Sequence, residues 1–396
     1  MAKTGEWQKK QAEKRVRRKT RQRNAPKRSM SDAARLFRAV YKQVNDYLPS
    51  TLPENRVTLA MLITGILRSR SGQLKKIVRA VQYDHKKESL VDRFRRFVRH
   101  DNIEVAVEYA PFNQQILGAV KQGPIVLLID STQMGGKCIC LMVSVYDKNR
   151  ALPWAWLTFK GRKGHSSQAK QLALLKRVQT LLPDDVSITL LGDGEFDGCE
   201  VVEWLQTEAG WQYVCRTDHS NLIFYQGQWI ALNQLPLQPG EETFLSQVWF
   251  TQAHQVGPVN ILVVWNEAKQ AHWFFVTNVH SAAEAKAWYK LRFTTETLFA
   301  DFKDRGFHLD DTRLWHPERV NRLVLAGAMA YFFTVVLGVA SIISRDFIQL
   351  VRTDAFYHSL FQLGLIYLNH LLNACLSFPD LAALPPPDDF VHIVIS

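Results

Sequence analysis

Two short apolar runs constrain this chain more than any other feature. Residues 125–129 are continuously apolar and lead into Asp130, and residues 187–191 lead into Gly192-Asp193-Gly194. Apolar runs of about five residues bounded by turn signals read as buried strands. Around them, residues 138–146 and 150–160 read as strands joined through Asp147-Lys148-Asn149. Residues 168–182 read as an amphipathic helix, 198–209 as a helix and 211–216 as a fifth strand. The order of three strands, helix, strand, helix, strand predicts an α/β class of fold.

The flanks follow other rules. Residues 31–105 read as short helices, the first capped by Ser31 with Leu36, Val40 and Val44 on one side, the others at 53–67, 74–81 and 89–97. Residues 219–280 are rich in aromatic and β-branched residues, with turns at Gln226-Gly227, Pro239-Gly240 and Gly257-Pro258, and predict a separate β-rich insertion. Residues 283–303 and 318–375 return to helix, and Pro385-Pro386-Pro387 opens an extended tail. The predicted organisation is a basic disordered arm at 1–30, a helical DNA-binding domain at 31–115, a core in two parts at 120–218 and 281–345, the insertion at 219–280 between them, and a helical region and tail at 346–396.

Charge is unevenly distributed. The net charge is +12, but residues 1–30 alone carry twelve Lys or Arg against two Glu, leaving the rest close to neutral. Such an arm reads as a phosphate-neutralising segment or as a solubilising tail. A second cluster of eleven Lys or Arg lies between Arg68 and Arg99, against Asp84, Glu88 and Asp92. Its apolar residues interleave at helical spacing, which favours a phosphate-binding surface carrying Arg93, Arg95, Arg96 and Arg99. The five Cys show no CxxC, and no apolar leader precedes them, which fits a reduced cytoplasm. Residues 323–343 are uncharged and about long enough to span a bilayer. They stand alone and contain Gly, Ser and Thr, so the expectation is a helix buried in a large core and no membrane partner.

The chemistry rests on carboxylates. Asp130 and Asp193 are each expected at the end of a buried strand, and strand ends of an α/β sheet converge where ligands bind. Each alone reads equally as a turn or cap residue. Together they call for a hard divalent cation with oxygen ligands. A third acid comes from helical arithmetic. Tyr289, Arg292, Glu296 and Lys303 fall within roughly a 60° arc of one helix, whereas Asp301 points elsewhere. Three carboxylates at Asp130, Asp193 and Glu296 can cage the two metal ions of an in-line phosphodiester displacement. Arg292 and Lys303 can hold flanking phosphates, the Arg bidentately, and Tyr289 can donate to a phosphate oxygen.

The spacing Tyr289-x2-Arg292-x3-Glu296-x6-Lys303 resembles the signature of bacterial cut-and-paste transposases of the "insertion sequence four" group. Asp130-Ser131-Thr132 resembles the group's first acidic motif, and Gly192-Asp193-Gly194-Glu195-Phe196 its second, with Gly-Glu where Arg-Gly usually follows the Asp. Residues 305–314 resemble its continuation, so the likeness spans roughly residues 31–345. The resemblance implies an RNase H-like catalytic core with a β insertion. It implies strand cleavage with two Mg²⁺ ions, Mn²⁺ being able to substitute, and a hairpin intermediate before strand transfer. Implied partners are double-stranded DNA, as terminal inverted repeats and target, and a second copy of the chain in a homodimeric synaptic complex. The implied setting is the bacterial cytoplasm and nucleoid. A Trp of the insertion stacks on a flipped base in that family. Trp273 is the matching residue and Trp265 the other candidate, a core strand residue being the alternative for Trp273. A non-catalytic DNA-binding protein and a different two-metal nuclease are the competing classes. The first need not keep all three acids, and the second does not need Tyr289, Arg292 and Lys303 beside Glu296.

Overall fold

The computed structural model describes residues 30–48, 51–84, 86–120, 123–352 and 358–384. Most of the basic arm and the Pro-rich tail lie outside these residues. Five helices come first: α1 (Asp32–Tyr47), α2 (Pro53–Ser69), α3 (Leu74–Ala80), α4 (Lys87–Arg99) and α5 (Val105–Val120). Ser31 caps α1 by accepting from the Ala34 N–H, as its side-chain chemistry predicts. Helix α5 is the one this stretch's pattern had not separated.

The strands are β1 (Ile125–Gln133), β2 (Cys138–Asp147), β3 (Arg150–Lys160), β4 (Ile188–Gly192) and β5 (Gln212–Thr217). Helix α6 (Gln168–Gln179) leads into β4, and α7 (Cys199–Trp204) into β5. Then come β6 (Leu222–Tyr225), β7 (Gln228–Ala231), β8 (Thr243–Phe250), β9 (Val256–Asn266) and β10 (Ala271–Thr277). All ten form one sheet in the order β3-β2-β1-β4-β5-β10-β9-β8-β6-β7. Only β1–β4 and β4–β5 are parallel. The insertion therefore does not stand apart. Strand β10 pairs antiparallel with β5, matching Phe275 to Arg216, and carries the other four strands outward on the same sheet. An unpaired β5 edge would expose backbone donors and acceptors, and the returning β10 satisfies them.

The chain continues as α8 (Ala282–Leu291), α9 (Phe293–Phe302), α10 (Pro317–Ile343), α11 (Phe347–Leu350) and α12 (Leu360–Asn373). Helix α10 is the span of bilayer length noticed in the sequence. The protein buries 94% of its most apolar 18-residue window, so it is a core helix. Pro317 opens it at a position where a missing N–H costs nothing. It packs on α2, α4 and α5 on one side, on β2 and β3 on another and along α12. Phe112 of α5 meets the rings of Phe332 and Phe333 at 5.3 and 5.8 Å. Tyr331 stacks on Phe361 at 5.2 Å.

The α10–α12 crossing is close because glycines face each other there. A Cβ on Gly364 would lie 1.8 Å from the Thr334 carbonyl oxygen, and one on Gly338 2.0 Å from that of Leu360. Gly364→Val therefore forces the two helices apart. We expect it to lower unfolding free energy by about 1–3 kcal/mol, read as a reduced denaturant midpoint, with Gly118→Ala in α5, where a Cβ meets nothing and helix propensity favours Ala, as the comparison that loses no stability.

Candidate active site

The first acid is set by strand register. The ladder with β2 runs past residue 129, pairing Asp130 with Met142 and Ser131 with Leu141. Asp130 thus lies inside a strand, not at its tip as the pattern implied. The parallel ladder with β4 does stop there, at Ile129 opposite Gly192. Asp130 and Asp193 come next, Asp130 still within β1 and Asp193 the first residue past β4, and neighbouring strands in a sheet are spaced ~4.8 Å apart. Asp130 is buried. That burial, and then the charge of Asp193, push its carboxyl up to about 6, against the pull of Arg292, the Ser131 N–H and Lys163.

Arg292 answers this charge. Its Nη1 donates to Asp130 Oδ2 at 3.4 Å and its Nη2 to Glu296 Oε1 at 2.8 Å. The guanidinium lies 5.6 Å from the Tyr289 ring centroid and the same distance from that of Phe293. Burial works against its charge, but Tyr289, Asp130, Asp193 and Glu296 together raise its pKa. Tyr289 is itself buried, edge-on to Phe275 at 4.5 Å, and burial raises its hydroxyl pKa.

The helix carrying these residues is not the single one expected. Arg292 interrupts it between α8 and α9, with tighter three-residue bonds from Arg292 N–H to Tyr289 O and from Thr295 N–H to Arg292 O. Tyr289, Arg292 and Glu296 still share a face. Lys303 sits past the end of α9 with non-helical φ −107° and ψ −126°. It nonetheless stays in the field of Asp130, beside Asp310 and Lys163, and burial lowers its pKa.

The structure thus brings Asp130 and Asp193 together directly and joins Glu296 to Asp130 through Arg292. The Glu296 side chain remains 53% exposed. Among the described residues no three His, Cys, Asp or Glu converge closely enough to ligate one ion. The expected three-carboxylate cage is therefore interrupted by the Arg292 guanidinium. The donor set still suits a hard cation: two adjacent carboxylates, one buried with a raised pKa, already recruit a positive charge.

Two contributors were not foreseen. Glu195 stands in the segment where the resemblance expects Arg-Gly, and it works as an anchor. Its Oε2 accepts from Ser131 Oγ at 2.8 Å, its Oε1 from Ser166 N at 2.6 Å, and its carbonyl from Gln171 Nε2 at 2.9 Å. Its own N–H donates to Asp193 Oδ1 at 3.0 Å. The second is Lys163, in the loop after β3, a positive neighbour of both Asp130 and Lys303. The departure at Gly194-Glu195 was the one sequence signal for the anchor. Nothing local marked Lys163.

Asp193 also borders a cleft of about 690 Å³ that runs along β5 and β10 and includes Arg216, His219, Lys269 and Trp273. The Arg216 guanidinium lies over the Trp273 ring at 4.5 Å. Trp265 does not line this cleft; it sits on β9 edge-on to His272 at 4.9 Å.

The profile of the transposase DDE domain family matches residues 121–333, more than half of the chain and both acidic strands with the helices that follow them. The chain belongs to this family of DNA-cleaving transposases. A solved transposase, piggyBac in a synaptic complex with hairpin DNA, is similar in structure at a TM-score of 0.45 and 10% identity, covering 87% of this chain and 80% of that one. No curated protein matches the chain in sequence.

In this DDE transposase the four arginines singled out on α4 do not share one face. Arg93 is tied internally, donating to Thr58 Oγ1 at 2.7 Å and to the Glu54 carbonyl at 3.1 Å, and Arg96 lies on the same side. Arg95 and Arg99 face a different groove, with Arg95 paired to Asp92 at 3.0 Å.

Asp301, the acid expected to point elsewhere, is buried on α9. It is 1% exposed, its oxygens have no hydrogen-bond partner and Arg305 lies 3.8 Å away. Burial lifts its carboxyl to about 7. The folded state then holds this proton more tightly than the unfolded chain, whose Asp titrates near ~4. Its favourable contribution is complete below about pH 4 and is lost as pH rises to about 7. Asp301→Asn should raise the melting temperature at pH 8 and flatten its decline between pH 4 and 7. An unchanged pH profile of melting would show that Asp301 is ionised in the fold.

Proposed function

We propose that Asp130, Asp193 and Glu296 are the acids of the DDE motif in this transposase, and that it performs cut-and-paste transposition in the manner of the "insertion sequence four" group. The observation that supports this best is the adjacency of Asp130 and Asp193 across the β1–β4 ladder, with Arg292 linking Asp130 to Glu296 on the facing helix. The order β3-β2-β1-β4-β5, with β1 central, is the arrangement we read as RNase H-like.

The acids would hold two Mg²⁺ ions, with Mn²⁺ as a substitute. When bound, such ions activate an attacking water or 3′-hydroxyl and stabilise the leaving oxygen. The chain's own groups do the rest. Arg292, planar and always charged, pairs with carboxylates at rest and has the geometry to fork onto a flanking phosphate instead. Lys303 and Tyr289 lie in the same field and offer further donors to phosphate oxygens. Trp273, walled into the cleft that reaches Asp193, offers a π-face to a base displaced from the duplex. Duplex DNA is the substrate, first as the terminal inverted repeats, cut through a hairpin intermediate, and then as target. Two copies of the chain pair the ends, and the helices of residues 31–115 dock the DNA. The setting we propose is the bacterial cytoplasm and nucleoid, where the buried free thiols Cys138, Cys140 and Cys215 stay reduced.

The test is cleavage of labelled DNA carrying the element's ends, with Mg²⁺, Mn²⁺ or a chelator. Wild type should cut with either ion and stop with chelator. Asp130→Asn and Glu296→Ala should still bind DNA but cut on the order of a thousandfold more slowly, the rate equivalent of about 4 kcal/mol of lost charge stabilisation. Wild-type cutting rates in Glu296→Ala would remove that residue from the triad. A second comparison concerns the cleft. Trp273→Ala should retain first-strand nicking and lose hairpin product on sequencing gels, while Trp265→Ala retains both. Equal loss in the two variants would mean that the cleft is not where the base goes.

A further inference from the structure

A groove of about 530 Å³ lies between the N-terminal helices and the segment that follows the catalytic helix. Its walls are strongly basic. Lys75, Lys76 and Arg79 come from α3, and Arg95 and Arg99 from α4. Arg313 and Arg319 come from more than two hundred residues further along the chain. No Asp or Glu lines it, although Asp92 pairs with Arg95 at the rim. Helical periodicity cannot produce this set, because Arg313 and Arg319 are supplied by another part of the protein. Gathering like charges around one concavity is unfavourable unless an anion shares it.

The groove is also fastened to the acids. The segment carrying Arg313 is bonded to the N-terminal helices by Gly72 N–H to His308 O at 3.2 Å. It is bonded to the hairpin that ends β1 by Gly135 N–H to Asp310 O at 3.2 Å and Gly136 N–H to Leu314 O at 2.9 Å. Arg322 of α10, buried, donates to the carbonyls of Val98 and Ile103 and so holds the C-terminal end of α4 against the core. The strand that presents Asp130 and the loop that presents Arg313 are thus joined by two backbone hydrogen bonds.

We propose that this groove is a phosphate channel for the backbone of duplex DNA, composed jointly by the N-terminal helices and the catalytic core. It reads charge and not sequence, and it sets the duplex in register with Asp130 and Asp193. The proposal rests on the reading of this chain as an enzyme acting on DNA.

Binding by the full chain is measured by fluorescence anisotropy on two duplexes, one with the element's end and one unrelated, across a salt series. Glu296→Ala provides a form that binds without cutting. In that background, Arg313→Glu and Arg319→Glu should each weaken both duplexes by a similar factor, on the order of tenfold, and lower the slope of log affinity against log salt by about 1 per lost phosphate contact. Arg313→Lys should restore most of the affinity, since a point charge suffices for phosphate. Lys176→Glu, on α6 beside Glu208, should change nothing, and unaltered melting temperatures exclude misfolding. Unchanged affinity and slope in Arg313→Glu and Arg319→Glu, with wild type binding normally, overturn the channel and leave the transposase reading intact. Loss confined to the end-bearing duplex overturns it too, because the groove would then read bases. Failure of the wild type to bind either duplex overturns both readings.

Discussion

The parallel pairing of β1 with β4 is the constraint on which the site depends. With Ile129 opposite Gly192, two carboxylates follow on neighbouring strands. A slip of one residue would turn Asp130 to the other face of the sheet and separate them. Once they are adjacent and one of them is buried, their repulsion must be answered. Arg292 does so by bridging Asp130 and Glu296, and Lys163 and Lys303 add to the positive field. Much of the local architecture keeps this arrangement in place. Glu195 ties Ser131 on β1 to the loop before α6, and its N–H holds the Asp193 carboxylate. The Arg292 guanidinium lies against the Tyr289 ring, which is in turn held edge-on by Phe275.

The second organising element is α10. A helix so apolar has to be covered on nearly every face, and covering it draws in the N-terminal helices, the outer strands β2 and β3, and α12. One hydrophobic core therefore reaches from Leu36 to Leu381. The N-terminal helices are part of that core, so their basic groove is placed against the catalytic segment. The buried Arg322 and the hydrogen bonds around residues 308–314 give this placement its polar specificity.

The β-rich insertion shows how a fold acquires a surface without a new core. Its strands extend the existing sheet from β5, and the junction creates the cleft that ends at Asp193. Trp273 reaches the cleft because β10 is the strand that pairs with β5. Trp265, one strand further out, does not. Function on such a scaffold resides in the groups presented at the sheet's edge and not in the sheet itself.

What the sequence by itself determined is local. The apolar runs into Asp130 and Asp193, the Ser31 cap, the strand pattern of the insertion and the burial of residues 323–343 all follow from periodicity and side-chain chemistry within a few residues. The shared face of Tyr289, Arg292 and Glu296 was legible in the same way, because helical geometry places residues three and four apart on one face, whereas Lys303 falls past the end of the helix. Tertiary structure alone decided the rest. Asp130 extends into a strand because β2 continues to pair with it, and the helix tightens at Arg292, where its side chain bridges two acids. The arginines of α4 divide between two faces, and Arg313 and Arg319 join one of them from the far end of the chain. These outcomes depend on contacts between residues distant in sequence. Their energies are settled by packing and by charges meeting across elements, which no local pattern encodes.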